Sequence, residues 1–465
     1  MAGITGIGSS MDIDGMVGAI VAAEKAPKEA QLARLEKATT SKISALGQLS
    51  GALSTFQTAL NNLNDASLFE ERSATSSDSN LVTATAGKTA QNGSYSLKIE
   101  QLASGSKTAS KVLGSAFTAG AGGSLNIRLG AEGSVTEVKI EPGATLSEIR
   151  DALNTQLKDT GITADLVTNP SDGKTRLAMT STSTGIGKDV QISSDAADLQ
   201  GLTIGSAALS SDDPDSSGVL EAAGNAKFSI NGLALDSESN VIDGAIPDVT
   251  FTLLAADKEK TVTVKIDQDR AGVTANVKKF VDAYNALMTT TNSLTSIVKV
   301  GEGKEPVTGE LLGDSSVRGL LSNIRSEMTT PGSGSFGVLT DLGITTQKDG
   351  TLAINDAKLK IALEKDVDAV GTLFTGDTGL MNRLDSKIKG FTASDGVLSQ
   401  RVSGLNTTIN SIDDQREALT LRIEKMQTRL FSHFNAMDSM VGQLLTTSDW
   451  LTQTLEGLPG FVKKD

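Results

Sequence analysis

The chain has no cysteine, one histidine and few aromatic residues, which make up 3% of its 465 residues. The absence of cysteine excludes disulfides, thiolate nucleophiles and cysteine metal sites. A single histidine cannot supply a histidine cluster. The low aromatic content argues against a surface on which sugars or bases stack. We therefore expect no catalytic, cofactor or metal site, and a protein whose chemistry is association.

Basic charge is also scarce, because 42 lysines and arginines face 56 acidic residues and leave a net charge of -14. The basic residues are scattered, so a nucleic-acid partner is not expected. The sequence contains no run of about twenty apolar residues, so no membrane span is predicted. The opening residues lack the basic start and long apolar core of a cleaved signal peptide. Export, if it occurs, is expected to use another route.

Apolar residues at alternating spacings of four and three dominate residues 398–451. Only Arg416, His433 and Thr447 interrupt this repeat. A 3.5-residue repeat keeps one face of a helix turned toward a partner, so it predicts a coiled coil. We interpret Arg416 and His433 as residues that set register or partner number, at some cost in stability.

A shorter repeat near the N-terminus predicts a second helix, beginning at Pro27. We expect residues 46–63 to pair with residues 405–430 within one subunit, and residues 1–26 and those beyond about 435 to engage neighbours. An ordinary buried bundle core is the alternative interpretation. The residues predicted to form coiled-coil and assembly contacts are Leu46, Leu49, Leu53, Phe56, Leu60, Leu63, Leu405, Ile409, Ile412, Leu419, Ile423, Met426, Leu430, Met437, Met440 and Leu444.

The middle of the chain has the alternation that is typical of strands. Residues 95–99 alternate after the turn signal Asn92-Gly93, and residues 262–266 place three apolar residues on one face. These two stretches are expected to share a sheet. Between them, residues 111–223 resemble an inserted domain, in which Thr145 and Glu148 have the spacing of a capping box.

Helices are expected again from Ala275, with a cap at Asp314 and a later hairpin turn at Asp349-Gly350. The sequence thus predicts an α+β multidomain fold, in which both chain ends form a helical coiled coil or bundle around nested, mostly β inner and outer domains. The predicted domains are an N-terminal amphipathic segment ordered only on assembly (1–40), a helical domain (41–77 plus 275–434), an inner β domain (78–110 plus 224–274), an outer inserted domain (111–223) and a C-terminal amphipathic segment (435–465).

Three weak motifs favour structure over chemistry. The glycines at 332, 334 and 337 have dinucleotide-fingerprint spacing, but no strand-turn-helix unit surrounds them, so a loop is expected. Asp12 and Asp14 lack the remaining ligands of a calcium loop, so a helix start is expected. The acidic residues Asp212, Asp213 and Asp215 are interpreted as part of a solvated linker.

Three segments match a known family: the opening GITGIGSSMDIDGMV, the strand segment SYSLKIEQLASGSK and the later segment GITTQKDGTLAINDAKLKIALEKDVDAVGTLF. They resemble the flagellar hook-associated protein 2 family, which caps the distal end of the bacterial flagellar filament. In the later segment, Gly350 matches the turn, Asp356 the start of a helix and Phe374 its end. The middle of the chain resembles insert domains of flagellin-related proteins.

The resemblance implies a structural protein rather than an enzyme. Several copies would form a homo-oligomeric ring at the filament tip. The terminal helices would reach into the open end of the filament, and exported flagellin would fold and insert beneath the cap. Further implied partners are hook-filament junction proteins and an export chaperone at the C-terminal helix. The implied location is extracellular, reached through the flagellar type III apparatus. Two alternatives stay open, namely a flagellin-like filament subunit and a flagellum-associated adhesin that acts through the outer domain.

Overall fold

The computed structural model describes residues 11–114, 116–210, 212–213, 216–299, 301, 303 and 305–456. The chain divides into two compact units. The helical unit takes the chain up to Ala66 and from Arg270 onward, and the β unit takes Ser67–Asp269.

The elements follow one another along the chain in three groups. The first is helix α1, Ile13–Leu63. The β unit contains α2 (Ser67–Glu70), β1 (Arg72–Ser76), β2 (Val82–Ala86), β3 (Gly93–Gln101), β4 (Gly105–Ala109), β5 (Gly123–Leu129), β6 (Thr136–Ile140), α3 (Leu146–Leu157), β7 (Ile162–Thr168), β8 (Thr175–Thr184), β9 (Val190–Ser193), a 3-10 helix (Ala197–Leu202), β10 (Gly218–Glu221), β11 (Ala226–Ile230), β12 (Leu233–Ser237), β13 (Val241–Ile246), β14 (Val249–Leu253) and β15 (Asp257–Gln268). The helical unit resumes with α4 (Arg270–Thr295), β16 (Ile297–Val298), β17 (Val307–Thr308), α5 (Ser315–Thr329), a 3-10 helix (Leu339–Leu342), β18 (Ile344–Thr346), β19 (Leu352–Ile354), α6 (Asp356–Lys365), α7 (Val367–Phe374), α8 (Leu380–Thr392) and α9 (Val397–Glu456).

Helix α1 begins well before the proline at which the sequence placed its start. Asp12 is the N-cap, and its side chain accepts a hydrogen bond of 2.8 Å from the N–H of Gly15. This bond satisfies one of the N–H groups that a helix start leaves without an intrahelical partner. Pro27 lies inside the helix at an exposed position. The predicted start at Pro27 is therefore wrong, and the helix start expected at Asp12 is confirmed.

The core of the helical unit forms where the end of α1 meets α4. The Phe56 ring lies 5.8 Å from that of Phe280 and 5.9 Å from that of Tyr284. The Tyr284 hydroxyl donates to the carbonyl of Gly350, in the turn of the β18–β19 hairpin. Gly350 has a φ of +86°, a conformation that glycine adopts without strain. The hairpin predicted at Asp349-Gly350 is thus confirmed.

The start of α9 is fixed to the start of α5 through the predicted cap. The Asp314 carboxylate accepts hydrogen bonds from the N–H groups of Ser316 and Val317, as an N-cap does. The same carboxylate pairs with the guanidinium of Arg401 at 2.5 Å. Leu398, one turn earlier in α9, is buried. One side chain therefore caps one helix and anchors another.

Two sheets enclose the inner core of the β unit. One has the order β1-β15-β3-β11-β12 and the other the order β13-β14-β2. β3 and β15 are antiparallel neighbours, with Leu97 opposite Val262. The prediction that residues 95–99 and 262–266 share a sheet is confirmed. Apolar residues from both sheets, such as Phe228 and Phe251, form the core between them.

A second core in the β unit draws its buried residues from the stretch between Leu113 and Ile204. Two sheets, of order β10-β4-β8-β7 and β6-β5-β9, contribute to it together with α3. The capping box of α3 is present, because the N–H of Thr145 donates to the Glu148 carboxylate at 2.8 Å and the N–H of Glu148 donates to the Thr145 hydroxyl at 3.4 Å. This confirms the local prediction for the helix start.

Several predicted boundaries differ from the structure. The predicted boundaries place β4 in the inner domain, but it pairs with β8 and β10. Its short sequence GSKTA has no apolar alternation that would identify its sheet. They also place β1 in the helical domain, but it pairs with β15, and α4 begins at Arg270 rather than Ala275. α1 and α9 run unbroken through the boundaries predicted at residues 40 and 435.

The predicted α+β multidomain fold, with a helical bundle built from both chain ends and a mostly β middle, is confirmed. The expectation that residues 1–40 and 435–465 order only on assembly stays a prediction. Residues 1–10 and 457–465 lie outside the described residues. Within the described ranges, no helix combines the length and the apolar character needed to cross a membrane.

Two leucines of α1 provide a matched test of the bundle core. Leu53 is fully buried, whereas Leu35 is 45% exposed. We expect Leu53→Ala to lower the free energy of unfolding of the helical unit by about 2–5 kcal/mol, because it leaves a cavity. Leu35→Ala should cost less than about 1 kcal/mol. Urea unfolding followed by far-ultraviolet circular dichroism measures both, and equal losses would contradict the place of Leu53 in the core.

The Asp314 cap should make the stability of the helical unit depend on pH. Burial raises the pKa of the Asp314 carboxyl, but the bonds from Arg401 and from the N–H groups of Val317 and Ser316 outweigh it and hold the pKa below its ordinary 3.8. The pKa of Asp314 is thus lower in the folded protein than in the unfolded chain. The ionised carboxylate therefore contributes its full stabilisation above pH 3.8, and this contribution is lost as the pH falls through the folded pKa.

We therefore expect Asp314→Asn to melt at a lower temperature than the unsubstituted protein at neutral pH. The difference between the two melting temperatures should shrink as the pH falls below 3.8, because the carboxylate becomes protonated. Melting curves of the two proteins over this range make the test. A difference that stays constant with pH would contradict the role of the ionised carboxylate.

Candidate assembly surface

The two longest helices, α1 and α9, lie antiparallel and are joined by two ion pairs. Arg416 contacts Glu36 at 2.5 Å, and Arg422 contacts Glu24. The hydrogen bond with Arg416 lowers the pKa of Glu36, and the same bond raises the pKa of Arg416. Arg416 interrupts the apolar repeat, and its contact with Glu36 supports the interpretation that it sets the register of the helix pair.

The expected pairing between residues 46–63 and residues 405–430 is wrong in its register. The ion pairs place α9 beyond Arg416 next to the N-terminal half of α1. The last turns of α1 pack instead on α4, through Phe56, and on α8. On α8, Gln57 donates to Asp385 at 3.0 Å and accepts from the Thr392 hydroxyl at 3.0 Å.

The predicted assembly residues fall into three groups by burial. The N-terminal group is fully buried and consists of Leu46, Leu49, Leu53, Phe56, Leu60 and Leu63. The middle group is buried or half-buried and consists of Leu405, Ile409, Ile412, Leu419, Ile423, Met426 and Leu430. The distal group is exposed and consists of Met437, Met440 and Leu444. The first two groups are thus wholly or partly covered within this chain, whereas the distal group is exposed.

The exposure of the distal group follows from the unequal lengths of the two helices. α1 begins eleven residues before Glu24, whereas α9 continues thirty-four residues past Arg422. At a rise of 1.5 Å per residue these stretches are about 17 Å and about 51 Å long. Among the described residues, α1 therefore does not cover the last part of α9. Met440 and Leu444 are 64% and 63% exposed.

Other exposed large apolar residues of α9 lie outside the predicted repeat, and the sequence reasoning missed them. Leu445, Trp450 and Leu455 of α9 are exposed, and so are Met16 and Ile20 near the start of α1. The α9 residues lie beside the repeat rather than on it, so a search for the repeat alone passes over them. We define the distal face as Met437, Met440, Leu444 and Leu451, the apolar repeat positions of α9 beyond His433. His433 is exposed as well.

The charged residues in the last part of α9 are all acidic. Residues 431–456 contain Asp438, Asp449 and Glu456 but no lysine or arginine. With Met437 and Leu444 at the a position of the heptad and Met440 at d, these three acids fall at the outer positions b and f. The distal face is therefore an apolar stripe whose charged residues point away from it.

The weak motifs form ordinary structure. Gly332 and Gly337 lie in a loop that the N–H of Gly332 closes on the carbonyl of Gly337 at 2.8 Å. Asp215 of the acidic run lies outside the described residues. Within the described part of the chain, no group of three or more histidine, aspartate or glutamate residues has the arrangement of a metal site.

Comparison with known proteins gives consistent matches over most of the chain. The family described as Flagellar hook-associated protein 2 N-terminus matches residues 9–106, and that described as Flagellar hook-associated protein 2 C-terminus matches residues 223–446. The A-type flagellar hook-associated protein 2 of Pseudomonas aeruginosa is 49% identical, over 99% of this chain and 98% of its own length. The flagellar hook-associated protein 2 of Escherichia coli K12 is 31% identical, over 97% of both chains.

A solved structure agrees with these matches. The crystal structure of the D1-D2-D3 domains of the flagellar cap protein FliD from Escherichia coli superposes with a TM-score of 0.60 and is 30% identical. The superposed region covers 78% of this chain and 99% of the crystallised chain. The nested helical and β units, the paired terminal helices and these matches lead to one conclusion: the chain belongs to the flagellar hook-associated protein 2 family.

Proposed function

We propose that this chain caps the distal tip of the bacterial flagellar filament as a homo-oligomer, without enzymatic activity. Its family membership supports this role, as does its likeness to a structure named as the flagellar cap protein. The observation that carries the proposal is the distal face of α9, which is apolar, exposed and not covered by α1. Such a face gains stability only when another chain covers it.

The energetics of the distal face suit association between copies. Burying one large apolar side chain contributes about 1.5–3 kcal/mol. Four such residues on one stripe can therefore outweigh the entropy lost when the helix is held in place. Because the acids Asp438, Asp449 and Glu456 occupy outer heptad positions, several copies can pack their distal faces together while these charges stay in water.

The cap is extracellular, holds exported flagellin at the tip, and promotes its folding and insertion while preventing its loss. It meets hook-filament junction proteins and, before export by the flagellar type III route, a chaperone on the C-terminal helix. The exposed stripe of α9 supports the proposal that a chaperone binds this helix, because an uncovered apolar face needs protection before assembly.

Substitutions in α9 separate the distal face from other exposed apolar positions. Leu444 lies on the distal face, whereas Leu421 is 51% exposed at the outer heptad position f. We expect the purified protein to form small closed oligomers and Leu444→Asp to shift them to monomer, because a charge would be buried in the seam. Leu421→Asp should behave like the unsubstituted protein. Sedimentation velocity gives the sizes.

Three results of this experiment would count against the proposal. Oligomers that survive Leu444→Asp would exclude the distal face as the interface. Equal disruption by both substitutions would show a general loss of stability. Long fibres after seeding would favour the flagellin-like filament subunit, because a cap stops at a closed assembly.

The capping role itself is tested in a flagellated strain that lacks this chain. We expect flagellin to leave the cell as monomers, so that most of it is found in the medium rather than in attached filaments. The unsubstituted chain and Leu421→Asp should restore filaments, and Leu444→Asp should not. Flagellin is measured in the sheared-filament and medium fractions. Normal filaments in the strain without the chain would contradict capping.

A further inference from the structure

The apolar face of the five-stranded sheet extends one strand beyond the inner core. β11 and β12 are antiparallel, with Phe228 opposite Leu235 and Ile230 opposite Leu233. Directly opposite residues place their side chains on the same face of a sheet. Phe228 and Ile230 are buried in the inner core, but Leu233 is 72% exposed and Leu235 is 40% exposed. We call this exposed pair, Leu233 and Leu235, the β12 ledge.

The backbone next to the β12 ledge is arranged to accept another strand. β12 ends the sheet, with β11 as its one neighbour among the described residues. A two-residue turn, Asn231-Gly232, with positive φ at both residues connects β11 to β12. In such a hairpin the backbone N–H and C=O groups of Leu233 and Leu235 form hydrogen bonds with β11. The backbone N–H and C=O groups of Ala234 and Asp236 therefore point to the outer edge.

The edge is held rigidly by its surroundings. The Asn240 side chain, in the turn after β12, accepts from the N–H of Ala103 and donates to its carbonyl, both at 2.8 Å. The Asn225 amide donates to the Asp236 carboxylate at 2.7 Å. A preformed edge binds with a smaller loss of entropy than a mobile one. β12 also lacks the lysine or proline with which many proteins block an exposed edge.

Charge identifies the kind of strand that fits. The two hairpins from β11 to β14 contain four acidic residues, Asp236, Glu238, Asp243 and Asp248, against one basic residue, Lys227, which lies opposite Asp236 on β11. Glu238 is already paired with Lys188 at 2.8 Å, and Asp248 accepts bonds from Thr89. Asp236 and Asp243 remain without an ion pair among the described contacts. An edge of this sign attracts a basic segment and disfavours the β12 edge of a second copy, which would place like charges together.

We propose that the β12 edge binds an extended segment of another polypeptide as an added strand of the five-stranded sheet. The segment has aliphatic residues at alternate positions, which cover the β12 ledge. Lysine or arginine residues between them lie on the opposite face, near Asp236. Backbone hydrogen bonds to Ala234 and Asp236 hold the segment, and the alternating side chains select it.

A set of synthetic peptides tests the pairing on the full-length, unsubstituted protein. The probe is a fluorescently labelled octapeptide of alternating lysine and valine, and its binding is followed by fluorescence anisotropy. We expect saturable binding that weakens with salt, as a charged interaction does. A glutamate-valine peptide, and a lysine-valine peptide methylated on alternate backbone nitrogens, should each bind at least about tenfold more weakly. Absence of lysine-valine binding, or equal binding of the methylated peptide, would overturn the proposal.

Substitutions in β12 test whether the peptide binds at this edge. Ala234→Pro removes an N–H group that points outward, so it spares the bonds to β11 while it blocks an added strand. Leu233→Glu places a charge on the ledge without touching the backbone. We expect each variant to weaken binding of the lysine-valine peptide at least about tenfold. Val167→Glu is the control, because Val167 is also exposed on an edge strand, β7.

Unchanged binding in Leu233→Glu, or equal weakening in Val167→Glu, would overturn the proposal. Melting curves show whether each variant is folded, and the methylated peptide tests the backbone pairing without any substitution. The experiment is independent of capping, since it needs neither oligomers nor filaments.

Discussion

The antiparallel pairing of two helices of unequal length constrains the whole helical unit. Ion pairs from Arg416 to Glu36 and from Arg422 to Glu24 fix where the shorter helix stops covering the longer one. Up to that point the apolar repeat residues of α9 are buried or half-buried within the chain, and beyond it they are exposed. The same register leaves the last turns of α1 free to pack on α4 and α8, so one arrangement produces both the bundle core and the uncovered stripe.

The β unit follows a different constraint, because its sheets must cover each other to exclude water. The inner core does so on most strands, but the three-stranded sheet leaves β12 uncovered. The two units thus expose apolar surface in different ways. The helical unit exposes a long stripe that suits another helix, whereas the β unit exposes a short edge that suits an extended chain.

Local signals in the sequence predicted the elements well. The alternation in β3 and β15, the caps at Thr145 and Asp314 and the turn at Gly350 each depend on residues close together in the chain, so they could be identified without knowing the fold. The sequence predicted helix starts at both Asp12 and Pro27, because proline suits a first helical turn. The structure has one helix, which begins after the Asp12 cap and runs through Pro27.

The register of the candidate assembly surface could not be predicted from the repeat. A heptad pattern matches its partner equally well after a shift of seven residues, so apolar spacing alone does not select one alignment. The alignment depends on side chains that lie far apart in sequence, as Arg416 and Glu36 do. Likewise, the exposure of Leu233 depends on how far a second sheet extends, which no pattern within β12 records.

The second core of the β unit, between Leu113 and Ile204, is built as a separable module. Its buried residues come from one continuous stretch of chain, whereas the inner core combines two distant stretches. The strands that lead into and out of this stretch, β4 and β10, are hydrogen-bonded neighbours, with Thr108 opposite Val219. The stretch is therefore an inserted module. Evolution can lengthen, shorten or exchange it at the junction formed by β4 and β10 while the inner core keeps its contacts.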